Sequence, residues 1–158
     1  MIKIKLLAEF PNYIPDLAKI WCDTLGKKWS SPPSEAEIQD RFKAHLNTET
    51  LPLAYVALDD NKAIGMCCIR MEDGGTRPDL FPWLGGLCVE ESYRKRGIGK
   101  LLITTAKIKA RRMGFKKLYL FTFDGDIANW YRGNGWTAIA DESAIVDGKK
   151  VFVMETGV

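Results

Sequence analysis

The sequence predicts one domain of the α/β (α+β) class over residues 1–158, in which about four helices pack on a mixed, mostly antiparallel sheet of six or seven strands. A chain of 158 residues suits a single domain with a sizeable core. Along the chain the spacing of apolar residues switches between helical and alternating, which is typical of mixed folds. The resulting element order is β-α-α-β-β-β-α-β-α-β-β.

Apolar spacing and turn residues place the individual elements. The predicted strands lie at 2–7, 52–58, 63–72, 83–89, 116–123, 136–140 and 150–156, and the predicted helices lie at 13–26, 35–47, 97–113 and, as a short one, within 126–135. The turn "DDNK" is expected to join two strands, and the turn "DGKK" is expected to join the two closing strands. The mostly apolar strand 83–89 should be central, and its connection to strand 116–123 should be parallel and right-handed.

Particular residues predict how the elements begin, end and pack. Ser34 and Glu37 have the spacing of a capping box for the second helix, and Gly26 and Gly114 are expected to end the first and third helices. Apolar and cationic residues alternate over 2–7, which predicts an edge strand. The residues expected on buried helix faces are Ile38, Phe42 and Leu46 in the second helix, and Ile98, Leu101, Leu102, Thr105 and Ile108 in the third.

Positive charge is concentrated in one segment, although the formal net charge is only +3. Residues 94–117 contain ten Lys or Arg and no acid. The small net charge does not indicate nucleic acid, so we expect this segment to face a smaller anion. A nucleic-acid-binding protein that uses the basic helix is the alternative, and salt-sensitive binding would reveal it.

The four cysteines show no metal-binding pattern. Cys22, Cys67, Cys68 and Cys88 form no Cys-x-x-Cys pair, and the single histidine, His45, is distant from them in sequence, so no metal site is expected. We expect reduced thiols in a cytoplasmic protein. The N-terminus lacks the features of a signal peptide, and no apolar run approaches the roughly 20 residues that span a membrane.

The segment "ESYRKRGIGKLL", residues 91–102, predicts an anion site at the start of the third helix. The first N–H groups of a helix have no backbone partner and lie at the positive end of its dipole. Gly97 and Gly99 leave these groups accessible, and the surrounding Lys and Arg side chains add charge. A Walker A or Rossmann loop does not fit, because required glycines are missing. A solvated basic turn is the alternative.

Two segments resemble motifs of the GNAT superfamily of N-acetyltransferases. "LCVEESYRKRGIGKLL" is similar to the acetyl-CoA-binding motif Arg/Gln-x-x-Gly-x-Gly/Ala, with Arg94, Gly97 and Gly99 at the defining positions. "NWYRGNGW" is similar to the later Tyr-x-x-x-Gly-Phe/Trp element, through Tyr131, Gly135 and Trp136. The element order also agrees along nearly the whole chain, so the resemblance implies a GNAT-like acyl-CoA N-acyltransferase fold.

The resemblance implies that acetyl-CoA is the co-substrate, and it assigns residues to this ligand. In the family, the strand before the glycine loop offers backbone groups to the pantetheine arm, and the loop and helix start hold the pyrophosphate. The residues at these positions are Leu87, Cys88, Val89, Arg94, Lys95, Arg96, Gly97, Ile98, Gly99 and Lys100. Where the family often has a cofactor-contacting Asn, this chain has Asp124, whose carboxylate accepts hydrogen bonds but cannot donate them.

The same resemblance implies that Tyr131 is a general acid. When an amine attacks the thioester directly in a ternary complex, coenzyme A leaves as a thiolate that needs a proton. Reference pKa values of about 8.5 for a thiol and about 10 for tyrosine make this transfer feasible. A core aromatic on a short helix is the alternative for Tyr131. A non-catalytic acyl-CoA-binding or sensing domain would keep the glycine loop but would not need Tyr131.

The general base is not assigned by the resemblance. Some family members carry a Glu on the central strand, and strand 83–89 has none. An alkylammonium with a pKa of about 10.4 must lose a proton before it is a nucleophile. Asp79, Glu72 and Asp73 are nearby carboxylates that could accept it, unless no dedicated base exists. Backbone N–H groups near 87–89 are expected to hold the oxyanion.

Aromatic residues near the expected acceptor site favour a small-molecule primary amine. In the family, this site lies between the loop that follows the first helix and the end of the central strand. The residues in or beside these regions are Trp29, Asp79, Phe81, Trp83 and Trp130. Core packing is the alternative for each aromatic residue, and a protein N-terminus or lysine is the alternative acceptor. By analogy with relatives, "KVFVMET" is a candidate pairing edge for a homodimer.

Overall fold

The computed structural model describes residues 1–73, 77–141 and 143–158. Within these ranges it shows four α-helices, a seven-stranded sheet and a two-stranded hairpin. The helices are α1 (Ile14–Thr24), α2 (Glu35–Lys43), α3 (Ile98–Arg112) and α4 (Gly125–Arg132). The strands are β1 (Ile2–Leu6), β2 (Leu53–Asp59), β3 (Lys62–Arg70), β4 (Trp83–Val89), β5 (Lys117–Thr122), β6 (Thr137–Ile139), β7 (Ile145–Val146), β8 (Lys149–Lys150) and β9 (Phe152–Gly157).

The large sheet has the strand order β1-β2-β3-β4-β5-β9-β6. Pairing is parallel between β4 and β5 and antiparallel at every other ladder of the described strands. The predicted class, the mostly antiparallel sheet and the parallel connection from strand 83–89 to strand 116–123 are therefore confirmed. The edge position predicted for the first strand is also confirmed, since β1 pairs with β2 alone.

The end of the chain differs from the prediction in two ways. The "DGKK" turn does not join the closing strands but makes the β7–β8 hairpin between them. This hairpin is held by buried apolar residues in and beside its strands, Ala144, Val146 and Val151, which pack in the cluster around Trp83. In addition, β9 lies between β5 and β6, and β6 pairs with residues 153–155. The prediction that "KVFVMET" is a pairing edge for a second copy is therefore wrong for these residues.

The core is divided between the two faces of the sheet. One cluster joins the sheet to α3 and α4, and a second joins the opposite face to α1 and α2. Cys67 belongs to the first cluster and Cys68 to the second, as the alternation of a strand predicts. A third cluster around Trp83 packs beneath the β7–β8 hairpin. All four cysteines lie in the described part of the chain and are free thiols.

The buried face of α3 is rotated relative to the prediction. Its buried residues are Ile98, Leu102, Ile103, Ala106 and Ala110. Leu101 and Ile108, predicted to be buried, are 43% and 37% exposed. Small residues explain the difference, because Ala106 and Ala110 let the helix backbone approach the sheet closely. A prediction that places the large apolar side chains in the core assigns the wrong buried face, because it leaves out Ala106 and Ala110.

The predicted capping residue of α2 is confirmed, but the glycine predicted to end α1 has a different role. Both hydrogen bonds of the Ser34–Glu37 capping box are present, at 3.2 Å each. Helix α2 ends at Lys43, before the predicted end at residue 47. Near the end of α1, Gly26 begins a short 3₁₀ turn, and a Cβ on it would lie 3.1 Å from the Trp21 ring. Gly26 is therefore needed for close packing and does not act as a left-handed cap.

The described residues contain no group of three or more His, Cys, Asp and Glu side chains arranged to hold a metal ion. The same residues include no helix with both the length and the apolar character that a bilayer crossing requires.

Candidate active site

β4 and β5 are neighbours in the sheet, but they separate almost at once. Both strands are fully described, and the ladder between them consists of one residue pair, Trp83 and Tyr119. The N–H of Tyr119 also donates to the carbonyl of Pro82, at 3.0 Å. Beyond this point the β5-facing edge of residues 87–89 has no strand partner. Such an edge can accept an extended ligand as if it were an added strand.

A β-bulge precedes the open end of β4. The register between β3 and β4 shifts between Met66 and Cys68, and Gly86 has a φ of 60°. A Cβ on Gly86 would lie 3.3 Å from Cys68 Sγ, and a positive φ disfavours other residues. The bulge therefore depends on Gly86, and the residues that follow it, 87–89, line a large cleft.

This cleft has a volume of about 1600 Å³. One wall comes from α1 and the turn after it, and the other comes from the end of β4, the loop after it, the start of α3 and part of α4. It brings together most of the predicted site residues, namely Leu87, Cys88, Val89, Arg94, Lys95, Gly97, Ile98, Gly99, Lys100, Trp130 and Tyr131.

Two predicted cofactor residues are turned to other partners and do not line the cleft. The guanidinium of Arg96 lies over the Tyr93 ring, 5.0 Å from its centroid. Asp124 caps α4 by accepting a hydrogen bond from the Asp126 N–H at 2.8 Å, and it pairs with Lys28 at 3.6 Å. That backbone hydrogen bond, with a smaller contribution from Lys28, lowers the pKa of Asp124. Its carboxylate is thus occupied by protein partners.

The start of α3 is an open backbone site. Gly97 is the N-cap residue with a φ of 79°, and the first helical bond runs from the Leu101 N–H to the Gly97 carbonyl at 3.1 Å. The N–H groups of residues 98–100 therefore have no partner within the helix. A Cβ on Gly97 would meet no atom within 4 Å, and one on Gly99 would meet only Trp130, at 3.8 Å.

These features fit a diphosphate group. Accessible N–H groups lie at the positive end of α3, and no side chain fills the space above Gly97. Arg94, Lys95 and Lys100 line the same part of the cleft. Arg94 donates from Nε to the Val89 carbonyl at 3.4 Å, and among the described residues Lys95 and Lys100 form no ion pair. Their charge is available to an anion.

Tyr131 is buried on α4 and still lines the cleft, with 7% of its surface exposed. The rings of Trp130 and Trp136 pack edge-on against it, at centroid distances of 5.1 and 5.5 Å. Burial, with a smaller contribution from Cys67, raises the pKa of the Tyr131 phenol. The phenol therefore keeps its proton at neutral pH, as a general acid must.

Cys88 also lines the cleft, but its chemistry is limited by its surroundings. Burial raises the pKa of this thiol to about 12. A thiol is nucleophilic as its thiolate, so Cys88 is inert at neutral pH.

The residues predicted for acceptor binding lie mostly outside the cleft. Trp83 is 2% exposed, and its indole N–H donates to the Leu80 carbonyl at 2.7 Å. Asp79 is held by the Arg77 guanidinium through two hydrogen bonds of 2.9 and 2.8 Å, which lower the pKa of its carboxyl group. Trp130, 41% exposed, is the one residue predicted for acceptor binding that the described cleft lining includes.

Contacts with the β7–β8 hairpin hold the loop that carries Trp29. The Ser30 N–H donates to the Asp147 carboxylate at 2.7 Å, and Lys149 Nζ donates to the Lys28 carbonyl at 2.8 Å. Trp29 packs edge-on against Phe123 at 5.3 Å. The two hydrogen bonds join residues more than a hundred positions apart, and no local sequence signal predicts any of these contacts.

The α1 wall of the cleft was also missed by the sequence reasoning. Its lining residues are Asp16, Lys19, Ile20, Asp23 and Thr24. Helical spacing places them away from the buried Ile14, Leu17, Ala18 and Trp21. The pattern identifies a non-core face, but it does not distinguish a cleft wall from a solvated surface.

Comparison with known proteins identifies the family. Residues 14–136 match the sequence model described as the acetyltransferase (GNAT) family. Because this match covers more than half of the chain, the protein belongs to the GNAT family of acetyltransferases. A search of curated proteins finds no match.

Solved structures with the same fold include several acetyltransferases. An acetyltransferase from Streptococcus agalactiae is 18% identical, with a TM-score of 0.73 and coverage of 99% of this chain and 98% of that one. Aminoglycoside 6'-acetyltransferase type Ii is 22% identical, with a TM-score of 0.72 and coverage of 98% and 96%. A candidate streptothricin acetyltransferase from Bacillus anthracis, in complex with acetyl coenzyme A, is 18% identical, with a TM-score of 0.62 and coverage of 74% and 68%. At these identities the comparison shows the shared fold.

Proposed function

We propose that this protein transfers the acetyl group of acetyl-CoA to the primary amine of a small molecule, by direct attack within a ternary complex. One observation carries the proposal. The open glycine loop, the unpaired end of β4 and Tyr131 line a single cleft. An anion site, a channel for an extended arm and an acid group thus occur together, and membership of the family supplies the reaction that uses all three.

Acetyl-CoA supplies the thioester, and the chain supplies the groups that bind it. The N–H groups at the start of α3, beside Gly97 and Gly99, receive the diphosphate. Arg94, Lys95 and Lys100 add charge at the same place. The free edge of residues 87–89 would pair with the extended arm, and a backbone N–H there would stabilise the oxygen that becomes negative during attack.

Tyr131 acts as the general acid in this proposal. The neutral amine attacks the thioester carbon, the carbon–sulfur bond breaks, and the phenol gives its proton to sulfur. The raised pKa of Tyr131 keeps that proton in place before the reaction. An acetyl-enzyme route through Cys88 is disfavoured, because its thiol pKa of about 12 leaves almost no thiolate at neutral pH.

The acceptor class is supported by an aromatic residue of the cleft and by one structural relative. Trp130 provides an aromatic wall at the cleft. Aromatic surroundings suit a compact amine. The relative named aminoglycoside 6'-acetyltransferase also takes a small molecule by its name.

The proposal is tested by measuring thiol release from acetyl-CoA. The acceptors are ethanolamine, putrescine, tyramine and histamine, with a lysine-containing peptide and a peptide with a free N-terminus for comparison. We expect turnover with at least one small amine. Turnover with peptides alone would overturn the acceptor class. Coenzyme A binding without turnover on any acceptor would identify a non-catalytic acyl-CoA-binding domain.

The first variant to test is Tyr131→Phe. Loss of a positioned acid costs about 10²–10⁴-fold in rate, so we expect kcat to fall by this factor while coenzyme A affinity stays the same. Tyr55→Phe is the matched control, since it removes a phenol hydroxyl from a half-buried tyrosine outside the cleft lining. An unchanged kcat for Tyr131→Phe at saturating substrate would remove Tyr131 from the mechanism.

A further inference from the structure

A largely buried network of polar side chains lies against β4, next to the bulge. Arg70, at the end of β3, donates from Nε to His45 Nε2 at 2.7 Å and from Nη1 to the Asp73 carboxylate at 3.2 Å. His45 Nδ1 lies 2.7 Å from the Arg41 carbonyl. A carbonyl can only accept, so Nδ1 carries the hydrogen and Nε2 is the acceptor for Arg70. The orientation of Arg70, and through it of Asp73, is therefore fixed.

The glycines of β4 make room for this network. A Cβ on Gly85 would lie 2.9 Å from Arg70 Nη1 and 3.0 Å from Asp73 Oδ2, both closer than ordinary contacts. A Cβ on Gly86 would lie 3.7 Å from Arg70 Nη2. The guanidinium and the carboxylate thus occupy the space of the side chains that β4 lacks. The Asp73 carboxylate therefore packs against β4 at Gly85, two residues before the cleft lining begins at Leu87.

The three carboxylates near β4 differ in their freedom to react. Asp79 is bound by Arg77 through both oxygens, and 61% of its side chain is exposed. Glu72 is exposed. Asp73 is bound by Arg70 through Oδ1, its Oδ2 is the oxygen that packs against Gly85 of β4, and 18% of its side chain is exposed. A partly accessible carboxylate at β4, two residues before the cleft lining begins, is suited to accept a proton from a bound ammonium.

We infer that Asp73 accepts the proton of the incoming ammonium, directly or through one water, and that Arg70 and His45 are positioning residues that hold it. This inference rests on the function proposed above. A nitrogen–hydrogen bond of the ammonium breaks, its proton moves to the Asp73 carboxylate, and the electron pair stays on nitrogen. The nitrogen then attacks the thioester carbon, and sulfur leaves with the proton of Tyr131. The second nitrogen proton restores Tyr131 through solvent, and Asp73 releases its proton to water.

The charged groups around Asp73 act in opposite directions. Burial raises the pKa of its carboxyl group, and Arg70 on β3 and Arg41 on α2 oppose this with smaller effects, so the net pKa is raised. Cys68 lies near Arg70 and Asp73, and burial raises the pKa of its thiol, so it stays neutral at pH 7. His45 contributes no charge at pH 7, since burial lowers its pKa to about 4. The Asp73 carboxylate is thus a stronger proton acceptor than an exposed Asp.

The test is the pH profile of kcat/KM for Asp73→Asn, measured with the fastest of the four small amines. We expect a loss of about 10²–10⁴-fold at pH 7, the usual contribution of a positioned base. The loss should shrink as the pH approaches 10, where the amine deprotonates without help. Glu72→Gln, which changes the adjacent exposed carboxylate, should match the wild type at every pH. Asp73→Glu, which keeps a carboxylate, should recover part of the rate.

The outcomes separate this inference from the function on which it rests. If the wild type acetylates an amine and Asp73→Asn has the same profile, Asp73 is not the base. A loss that is equal at every pH, without recovery in Asp73→Glu, indicates a structural role and also overturns the inference. Coenzyme A affinity by calorimetry and the Tm of each variant show whether it is folded. Absence of wild-type turnover on every acceptor overturns the proposed function itself, and this inference with it.

Discussion

The start of α3 is built from main-chain groups, whereas the region around Trp29 and Trp83 is built from side chains. At α3 the site is main chain, with a left-handed Gly97, free N–H groups and no side chain above them. Around Trp29 and Trp83 the region is made of side chains, held by contacts such as Ser30 to Asp147 across the fold. The first site is open and lies at the positive end of the α3 dipole, and the second region, here called the packed region, is closed and aromatic. We therefore expect substitutions to affect ligand binding and stability separately in this protein.

The largest expected effect is on stability. It arises from the polar network of His45, Arg70 and Asp73, which borders the packed region where Arg70 of β3 pairs with β4. His45, the single histidine, has a folded pKa of about 4, while an unfolded histidine titrates near about 6.5. Between these values the unfolded chain binds the proton and the folded one does not, so stability is lost as pH falls from 6.5 towards 4. The contribution is up to about 3 kcal/mol in the free energy of unfolding.

Denaturant unfolding at pH 7 and pH 4 measures this loss. In His45→Gln the share that comes from histidine should disappear, so the difference in unfolding free energy between the two pH values should shrink by about that amount. An identical pH dependence in the variant and the wild type would mean that the network does not hold His45 neutral.

The next effect in size concerns binding. Gly97→Val should weaken coenzyme A binding at least about tenfold, or about 1.4 kcal/mol, because it strains a left-handed residue and puts a branched side chain above the free N–H groups. Gly114→Val is the matched control at the other end of α3, since Gly114 also has a positive φ and open space around it. Calorimetry with coenzyme A compares the two. Equal affinities would mean that the open site does not bind the ligand.

The smallest effect is expected at the contact between the hairpin and the Trp29 loop. Asp147→Asn weakens the hydrogen bond from Ser30, which should raise KM for a small amine roughly two- to fivefold, or about 0.4–1 kcal/mol. Coenzyme A affinity should not change. Asp126→Asn is the control, since Asp126 is an exposed carboxylate on α4 outside the cleft lining. A change in coenzyme A affinity with constant KM would contradict the division between the two regions.

Features that depend on a few neighbouring residues were predictable from the sequence. The Ser34–Glu37 capping box and the Gly97–Gly99 loop each lie within a short segment, and the backbone conformation they require limits the residues allowed there. The order of strands and helices followed from apolar spacing for the same reason. The assignment of Tyr131 came from its resemblance to a family motif, since burial alone equally predicts a core aromatic.

Features that depend on distant contacts were not predictable. Asp73, Arg70 and His45 come from two loops and a strand end, and their meeting point is set by the small size of Gly85. The rotation of α3 follows from the close approach of Ala106 and Ala110 to the sheet, which hydropathy does not encode. Trp83 and Asp79 were placed near an acceptor by sequence position, whereas packing beneath the hairpin and the Arg77 pair determine their surroundings.

The single Trp83–Tyr119 pair joins two blocks of strands, one of four and one of three, among the described residues. Unpaired strand edges are usually a liability, because they recruit other polypeptides and promote aggregation. Here the two free edges face each other inside one sheet, so a foreign β-strand with its side chains cannot align along them. A narrow, flexible molecule fits such an opening better than a second polypeptide does, so we expect the gap between the two blocks to favour a thin ligand over strand pairing with another chain.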